Sequence, residues 1–178
     1  MGFTRREKMV MSGDMFEVLV ADNVEVACEG VIIRHNYEFY SPRINRGTEC
    51  DVIVITNNSI YCVECKHYTT FISGERFDYE WRFASSGKKS TVINPVLSNM
   101  KHIRTMQGLL RQAGYGDVEI KSLICVPDSC KIYTDCKEVV NLSYLLGIVK
   151  NDFVKSKGFT NQKDMMTAID KIKYKIRR

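Results

Sequence analysis

Apolar residues along this chain follow two spacings, one typical of helices and one typical of buried strands. Over residues 9–27 they recur at helical spacing without a proline, which predicts a helix. Apolar and β-branched runs over 30–40, 50–56 and 60–68 predict strands. An Asn-Asn-Ser segment at 57–59 joins the last two runs. We therefore expect an antiparallel hairpin of central strands that are covered on both faces.

The second half of the chain predicts shorter strands and three helices. Asn94-Pro95 marks a helix start, because Asn is a favoured N-cap and Pro fits the first helical position, and the helix should end near Gly114. The other predicted elements are short strands within 69–83, a strand over 118–126, one more from Ile132 and 138–142, and helices over 143–150 and 161–175. Segment 41–48 is predicted as a loop, and 85–89 as an exposed, mobile polar loop.

Chain length and composition predict one globular domain. At 178 residues, the chain can bury a single core and is too short for two. Apolar residues make up 44% and charged residues 26%, which is close to the globular average. We expect a mixed α/β domain over 1–178, with its core at about 9–142 and a helical extension at about 143–178.

Composition also restricts compartment and partners. No apolar run approaches the length of a membrane span, and no signal peptide is recognisable, so we expect a cytoplasmic protein with no membrane contact. The seven cysteines are scattered, which favours reduced thiols over a disulfide framework. Within Cys62-x-x-Cys65, the two side chains should point to opposite faces of a strand. A net charge of +5 permits a polyanionic partner without requiring one.

The strongest candidate for chemistry is the set Asp51, Glu64 and Lys66. Glu64 and Lys66 lie two positions apart on a predicted strand and therefore project from the same face. If the 57–59 turn closes an antiparallel hairpin, Asp51 falls opposite them. Two carboxylates and one ammonium would then converge at the open end of the hairpin.

These residue types suit metal-dependent phosphodiester hydrolysis. Mg²⁺ takes oxygen ligands and keeps several waters, so one or two carboxylates and a backbone carbonyl suffice. The ion can polarise a phosphoryl oxygen and lower the pKa of a bound water. Lys66 would position or help to deprotonate the attacking water and offset charge on the phosphate.

A simpler interpretation of the same pattern is a solvated cross-strand ion pair, which contributes little to stability. The surrounding sequence favours catalysis instead, because all three charges flank apolar runs. Glu17 also shares a largely apolar side of the first predicted helix, where it supplies a further carboxylate.

Taken in order, these residues resemble the nuclease-related domain (NERD) family of the PD-(D/E)XK nuclease superfamily. The family pattern has a helical Glu, an acidic residue before an apolar strand, a strand ending in E-x-K, a Gly and a Trp, and a helix opened by Asn-Pro. The matching positions, spread over about 13–113, are Glu17, Asp51, Glu64-Cys65-Lys66, Gly74, Trp81 and Asn94-Pro95.

The resemblance implies a restriction-endonuclease-like core, a central mixed β-sheet flanked by helices, and cleavage of DNA. It also implies that Asp51 and Glu64 hold Mg²⁺, with Mn²⁺ as a possible substitute, and that the Cys65 carbonyl adds a ligand. Lys66 would be catalytic and Glu17 an accessory acid.

Two positions depart from the family pattern. Ser98 stands three residues after the proline, where the family usually has Gln, and His67 follows the lysine, where Asn is frequent. Either change could tune or weaken activity. On a strand His67 should point away from Lys66, so we expect it at the edge of the core or in a loop.

Candidate DNA contacts lie on the Asn-Pro helix, where a solvated face is the alternative explanation. They are Ser98, Lys101, Arg104 and Arg111. His102 could share the helix face of Ser98 near the site, although an exposed helical His is commoner. We expect Trp81 to pack rather than stack on bases, and the basic tail 171–178 could add nonspecific affinity for DNA.

The leading hypothesis is therefore a Mg²⁺-dependent deoxyribonuclease. A structure-specific junction resolvase is an alternative that would require a homodimer. A DNA-binding module that keeps the fold but does not cleave is another, although pure binding gives no reason to hold two carboxylates facing a phosphate.

Overall fold

The computed structural model describes residues 5–41, 46–56, 59–116, 118–155 and 162–172. Within these ranges it has four helices, α1 (Arg5–Ala27), α2 (Pro95–Gln112), α3 (Leu142–Lys155) and α4 (Gln162–Ile172). The strands are β1 (Ile32–Ser41), β2 (Arg46–Ile55), β3 (Ile60–Cys65), β4 (Phe71–Ser73), β5 (Glu80–Ser85), β6 (Lys88–Ile93), β7 (Ile120–Val126), β8 (Lys131–Tyr133) and β9 (Val139–Asn141). None of the described helices is both long and apolar enough to cross a membrane.

The central sheet has five strands in the order β1-β2-β3-β7-β9. The first three strands pair antiparallel, whereas β3, β7 and β9 run parallel to their neighbours. The parallel pairing of β3 with β7 requires a crossover, and α2 lies in that connection. The predicted mixed sheet flanked by helices is confirmed.

Strands β2 and β3 lie at the centre of this sheet because both of their faces are apolar. Every residue of β3 is buried. Alternate side chains such as Val52 and Val63 pack with α1 and α3, while Ile53 and Cys62 pack with α2 and α4. Cys62 and Cys65 therefore lie in different clusters, and all seven cysteines are buried free thiols.

A second sheet of four strands, in the order β6-β5-β4-β8, follows the end of β3. Trp81 is fully buried there, so its predicted packing role is confirmed, and its indole N–H donates to the Glu75 carbonyl at 2.8 Å. A Cβ atom at Gly74 would overlap the indole ring. This close approach explains why the sequence pairs a glycine with this tryptophan.

Helix α2 begins as the sequence predicts. The Asn94 side-chain oxygen accepts from the N–H groups of Val96 at 2.9 Å and Leu97 at 3.3 Å. Its amide nitrogen donates to the carbonyls of Arg76 at 3.0 Å and Asp78 at 2.8 Å. The cap therefore also ties the helix start to the loop between β4 and β5.

Three predicted boundaries were wrong. Strand β2 begins at Arg46, so Gly47 and Thr48 pair with β1 instead of lying in a loop. The segment 85–89 is not a loop of five residues, because Ser85 pairs with Lys88 across a two-residue turn. Ile132 and 138–142 supply two strands in different sheets rather than one. The predicted turn residues Asn57 and Asn58, the loop residues 42–45 and the tail residues 173–178 lie outside the described residues.

Candidate active site

The register of the β2–β3 hairpin brings Asp51 beside Glu64, as predicted. The paired positions run from Ile55 with Ile60 to Val52 with Val63, and Asp51 and Glu64 are the next residues on each strand. Oδ2 of Asp51 accepts the backbone N–H of Cys65 at 2.7 Å. This hydrogen bond fixes the orientation of the Asp51 carboxylate relative to β3.

Glu64 and Lys66 project from the same face, and their side chains form an ion pair. Nζ of Lys66 lies 2.6 Å from Oε1 of Glu64. Glu64 is only 7% exposed, which excludes the alternative of a solvated surface pair. The backbone N–H of Lys66 donates to the Cys125 carbonyl at 2.8 Å, so strand β7 holds the end of β3 in place.

Glu17 approaches this group from α1, on the other side of the sheet. Burial and the charges of Asp14 and Glu49 raise the pKa of Glu17, while the ammonium of Lys66 opposes the shift. Glu17 therefore lies within electrostatic range of Lys66 and adds a third carboxylate at the rim.

The group carries more negative than positive charge. Burial and, next, the charge of Glu64 raise the pKa of Asp51. The Cys65 N–H and Lys66 oppose this rise, and the resulting pKa of Asp51 is about 7. Burial alone would lower the pKa of Lys66, but Glu64 and Asp51 raise it above its usual range. Lys66 is therefore a firmly charged ammonium beside two carboxylates that repel each other.

Helix α2 brings His102 to the site, a residue that the sequence alone left between two interpretations. Nε2 of His102 lies 3.9 Å from Oε2 of Glu64, and its Nδ1 pairs with Oγ1 of Thr48 on β2. Burial lowers the pKa of His102, and the charge of Glu64 offsets part of this shift. His102 is thus held between both strands of the hairpin.

Helix α2 also contributes Asn99, a residue that the sequence analysis did not single out. It is fully buried, and its Nδ2 donates to the carbonyl of Cys62 at 2.9 Å and to Oγ of Ser122 at 2.9 Å. Asn99 therefore fixes the first turns of α2 against β3 and β7. A buried Asn in a helix is a detectable signal, because it requires polar partners.

The predicted DNA-contact residues of α2 are spread along the helix. Ser98 is partly buried, whereas Lys101, Arg104 and Arg111 are exposed. Ser98 and Lys101 lie in the first turns, near His102, but Arg111 lies in the last turn, roughly 20 Å further along the axis. The four residues are therefore not part of one compact site.

Comparison with known proteins places this arrangement in a family. The model of the nuclease-related domain matches residues 12–127, which is more than half of the chain. The chain belongs to the nuclease-related domain family. This family lies within the PD-(D/E)XK superfamily, and the match spans every residue of the candidate site from Glu17 to His102.

One relative of this nuclease-related domain is an uncharacterised protein of Bacillus anthracis. It is 32% identical over 80 residues, which cover 45% of this chain and 37% of the relative. The match thus spans little more than a third of that protein. No solved structure matches the chain.

The two departures from the family pattern have clear positions in this nuclease-related domain. His67 lies on the α1 side, with its ring 5.4 Å from that of Phe16, at the edge of the core where the sequence predicts it. Ser98 occupies the turn of α2 that precedes His102. His102, rather than Ser98, supplies the polar contact from α2 to Glu64.

Proposed function

We propose that this protein is a metal-dependent DNA nuclease that hydrolyses phosphodiester bonds at Asp51, Glu64 and Lys66. The observation that carries the proposal is the buried Glu64 carboxylate between the half-buried Asp51 carboxylate, which it repels, and the half-buried Lys66 ammonium, at one end of a paired hairpin. Membership in the nuclease-related domain family supports a nuclease-related function.

The donor set at this site fits Mg²⁺. In the described part of the chain, no three His, Cys, Asp or Glu side chains are arranged to hold a metal by themselves. Mg²⁺ needs fewer protein ligands, because it retains waters and binds through one or two carboxylates. Asp51 and Glu64 would hold it with the Cys65 carbonyl, and the ion would neutralise the charge that raises the pKa of Asp51. A bound divalent ion polarises the phosphoryl group and acidifies a water.

Lys66 acts in this proposal as a charged hydrogen-bond donor. Its raised pKa means that it keeps its proton at neutral pH, so it orients the attacking water and offsets charge on the phosphate rather than removing a proton. Glu17, whose pKa is also raised, is placed to accept a proton at the rim. Strand pairing on both sides of β3 keeps these groups in position.

A cleavage assay on several DNA forms tests the proposal. Purified protein is incubated with linear, supercoiled, single-stranded and branched DNA in Mg²⁺, Mn²⁺ or EDTA. We expect metal-dependent cleavage of at least one form and a loss of about 100-fold or more in Lys66→Met. Lys137→Met, which changes an exposed lysine, is the matched control and should cleave normally. Calorimetry should detect Mg²⁺ binding that Glu64→Gln abolishes.

Three outcomes would contradict the proposal. Cleavage that persists in EDTA, or in folded Lys66→Met, would remove the site assignment. DNA binding without cleavage of any form would make the protein a non-cleaving DNA-binding module. Cleavage confined to branched DNA by a dimer would instead identify a junction resolvase.

A further inference from the structure

The four-stranded sheet has two chemically different faces. Its register places Ile72 opposite Phe83, Trp81 opposite Val92, and Ile72 beside Ile132, and these side chains pack into the core. In a strand, the intervening residues must point the other way. The sheet therefore has an outer face formed by those intervening residues.

The outer face combines cations with aromatic rings. Two rows cross the strands from β6 to β8, Lys89–Ala84–Phe71–Lys131 and Thr91–Arg82–Ser73–Tyr133. The three cations are exposed, and Tyr133 is 58% exposed. The rings of Phe71 and Tyr133 meet edge to face, with centroids 6.3 Å apart.

Charge on this face changes along the strands. Beyond the second row, Glu80 lies opposite Ile93. Acidic residues also line a cleft of about 710 Å³ together with Arg82 and Tyr133; they are Glu75, Asp78, Glu80 and Asp135. A polyanion would therefore be restricted to the first two rows and repelled from the far end.

The basic row lies at the end of the sheet nearest the candidate active site. Only residues 67–70 separate Lys66 from Phe71. Oγ of Ser85 donates to the His67 carbonyl at 3.4 Å, and the N–H of Lys131 donates to the Thr70 carbonyl at 3.0 Å. Strands β5 and β8 are thus bonded directly to the segment that leaves the site.

A tight turn holds the lysines of β6 in place. Ser86 and Gly87 both have positive φ, 50° and 76°, as the turn of a two-residue hairpin requires. The N–H of Ser86 donates to Oγ1 of Thr69 at 3.1 Å, which anchors the turn to the segment after Lys66. Lys88 and Lys89 follow this turn directly and point to opposite faces of the sheet. Lys89 lies beside Ala84 on the outer face, and Lys88 lies beside Ser85 on the other face.

We propose that this outer face binds a single strand of DNA that leads to or from the active site, with phosphates on Lys89 and Lys131 and bases stacked on Phe71 and Tyr133. The proposal rests on the proposed function, because the occupant is the substrate of that site. A basic surface with an exposed tyrosine ring beside a half-buried phenylalanine ring suits single strands, whose bases are free to stack. Duplex DNA hides its base faces and gains only the phosphate contacts.

Fluorescence anisotropy in EDTA measures this binding without cleavage. Single-stranded and duplex oligonucleotides of one sequence are titrated with the wild-type protein, Tyr133→Ala and the double variant Lys89→Gln/Lys131→Gln. We expect Tyr133→Ala to weaken single-strand binding about fivefold or more and to leave duplex binding unchanged. The double variant should weaken both and reduce the salt slope for the single strand by about 1.4.

Matched controls come from α3, where Tyr144 is 66% exposed and Lys150 is also exposed. Tyr144→Ala and Lys150→Gln should bind both oligonucleotides as the wild type does. Equal losses in test and control variants, or an equal loss of duplex binding in Tyr133→Ala, would overturn the proposal. Single-strand binding that depends on Tyr133 supports the surface even if no DNA is cleaved, an outcome that would contradict only the nuclease function.

Discussion

The two ends of the β2–β3 hairpin both carry charged side chains that are largely shielded from solvent, but the charges are balanced differently at each end. At the turn end, Oδ2 of Asp152 accepts from the Thr56 hydroxyl at 2.6 Å, and its Oδ1 lies 3.5 Å from Nζ of Lys121. Tyr61 also hydrogen-bonds to Asp152, and its ring lies 5.4 Å from the Lys121 ammonium. There the Asp152 carboxylate is matched by one cation and two hydroxyl groups, and the exposed Glu119 carboxylate lies 3.9 Å from the same cation.

At the open end, Asp51, Glu64 and Glu17 share one ammonium, that of Lys66. Burial and the neighbouring carboxylate raise the pKa of Asp51 to about 7, so the folded protein holds this charge at a cost. The difference separates two roles for buried charge. At the turn end the fold itself supplies the cation and ties α3 to the sheet, whereas at the open end the carboxylates outnumber the cations.

The sharpest test of this difference is Asp51→Asn. We expect cleavage to fall about 1000-fold, because the proposed metal ligand is lost, while the free energy of unfolding in EDTA is unchanged or higher. The amide keeps an acceptor for the Cys65 N–H. Single-turnover cleavage and thermal unfolding measure the two effects, and a clear loss of stability would contradict our description of this end.

The matched variant at the turn end is Asp152→Asn. Loss of this charge leaves Lys121 with only the exposed Glu119 carboxylate nearby and weakens the bonds to Thr56 and Tyr61. We expect a loss of about 2 kcal/mol in the free energy of unfolding, with normal cleavage per folded molecule. Urea unfolding and cleavage at a temperature where the variant is folded test both statements. Normal stability would mean that the two ends do not differ in the way we describe.

A third prediction concerns the pH dependence of stability without metal. Because the pKa of Asp51 rises from an ordinary value of 3.8 to about 7, the folded protein keeps a proton that the unfolded chain releases. The free energy of unfolding should therefore fall with rising pH across that interval, because the unfolded chain loses the proton first. Asp51→Asn should lack this contribution to the pH dependence. Urea unfolding of both proteins in EDTA, repeated across this pH range, should therefore give free energies whose difference changes with pH. The same pH dependence in both proteins would contradict the assignment of the raised pKa to Asp51.

The open end of the hairpin was predictable because its geometry is local. Asp51, Glu64 and Lys66 lie on two neighbouring strands, so the period of two and the turn length determine which side chains meet. Asn94 was predictable for the same reason, since a cap acts within one turn of a helix. The apolar runs of β2 and β3 also identified the centre of the sheet.

The second sheet was less predictable because its strands are short or polar. Strand β6, with the sequence KKSTVI, is largely exposed and shows no clear alternation, and β8 has three residues. Their pairing depends on the register with β5 and β4, which lies outside any local pattern. The same limit applies to His102, whose distance from Glu64 depends on how α2 packs against β3.

The smallest predicted effect is that of replacing His102. It distinguishes a residue that positions Glu64 from one that only packs α2 against the hairpin. Its contacts with Thr48 and Glu64 suggest that it positions the Glu64 carboxylate. His102→Asn removes the atom that faces Glu64, so we expect Mg²⁺ affinity and kcat to fall about tenfold with little change in KM or thermal stability. His102→Gln should restore part of the loss, because its amide can reach the position of Nε2. His35→Asn, at an exposed position on β1, is the control. If His102→Asn lowers stability but leaves Mg²⁺ affinity intact, His102 only packs α2 against the hairpin, and the charge at the open end is positioned by the strands alone.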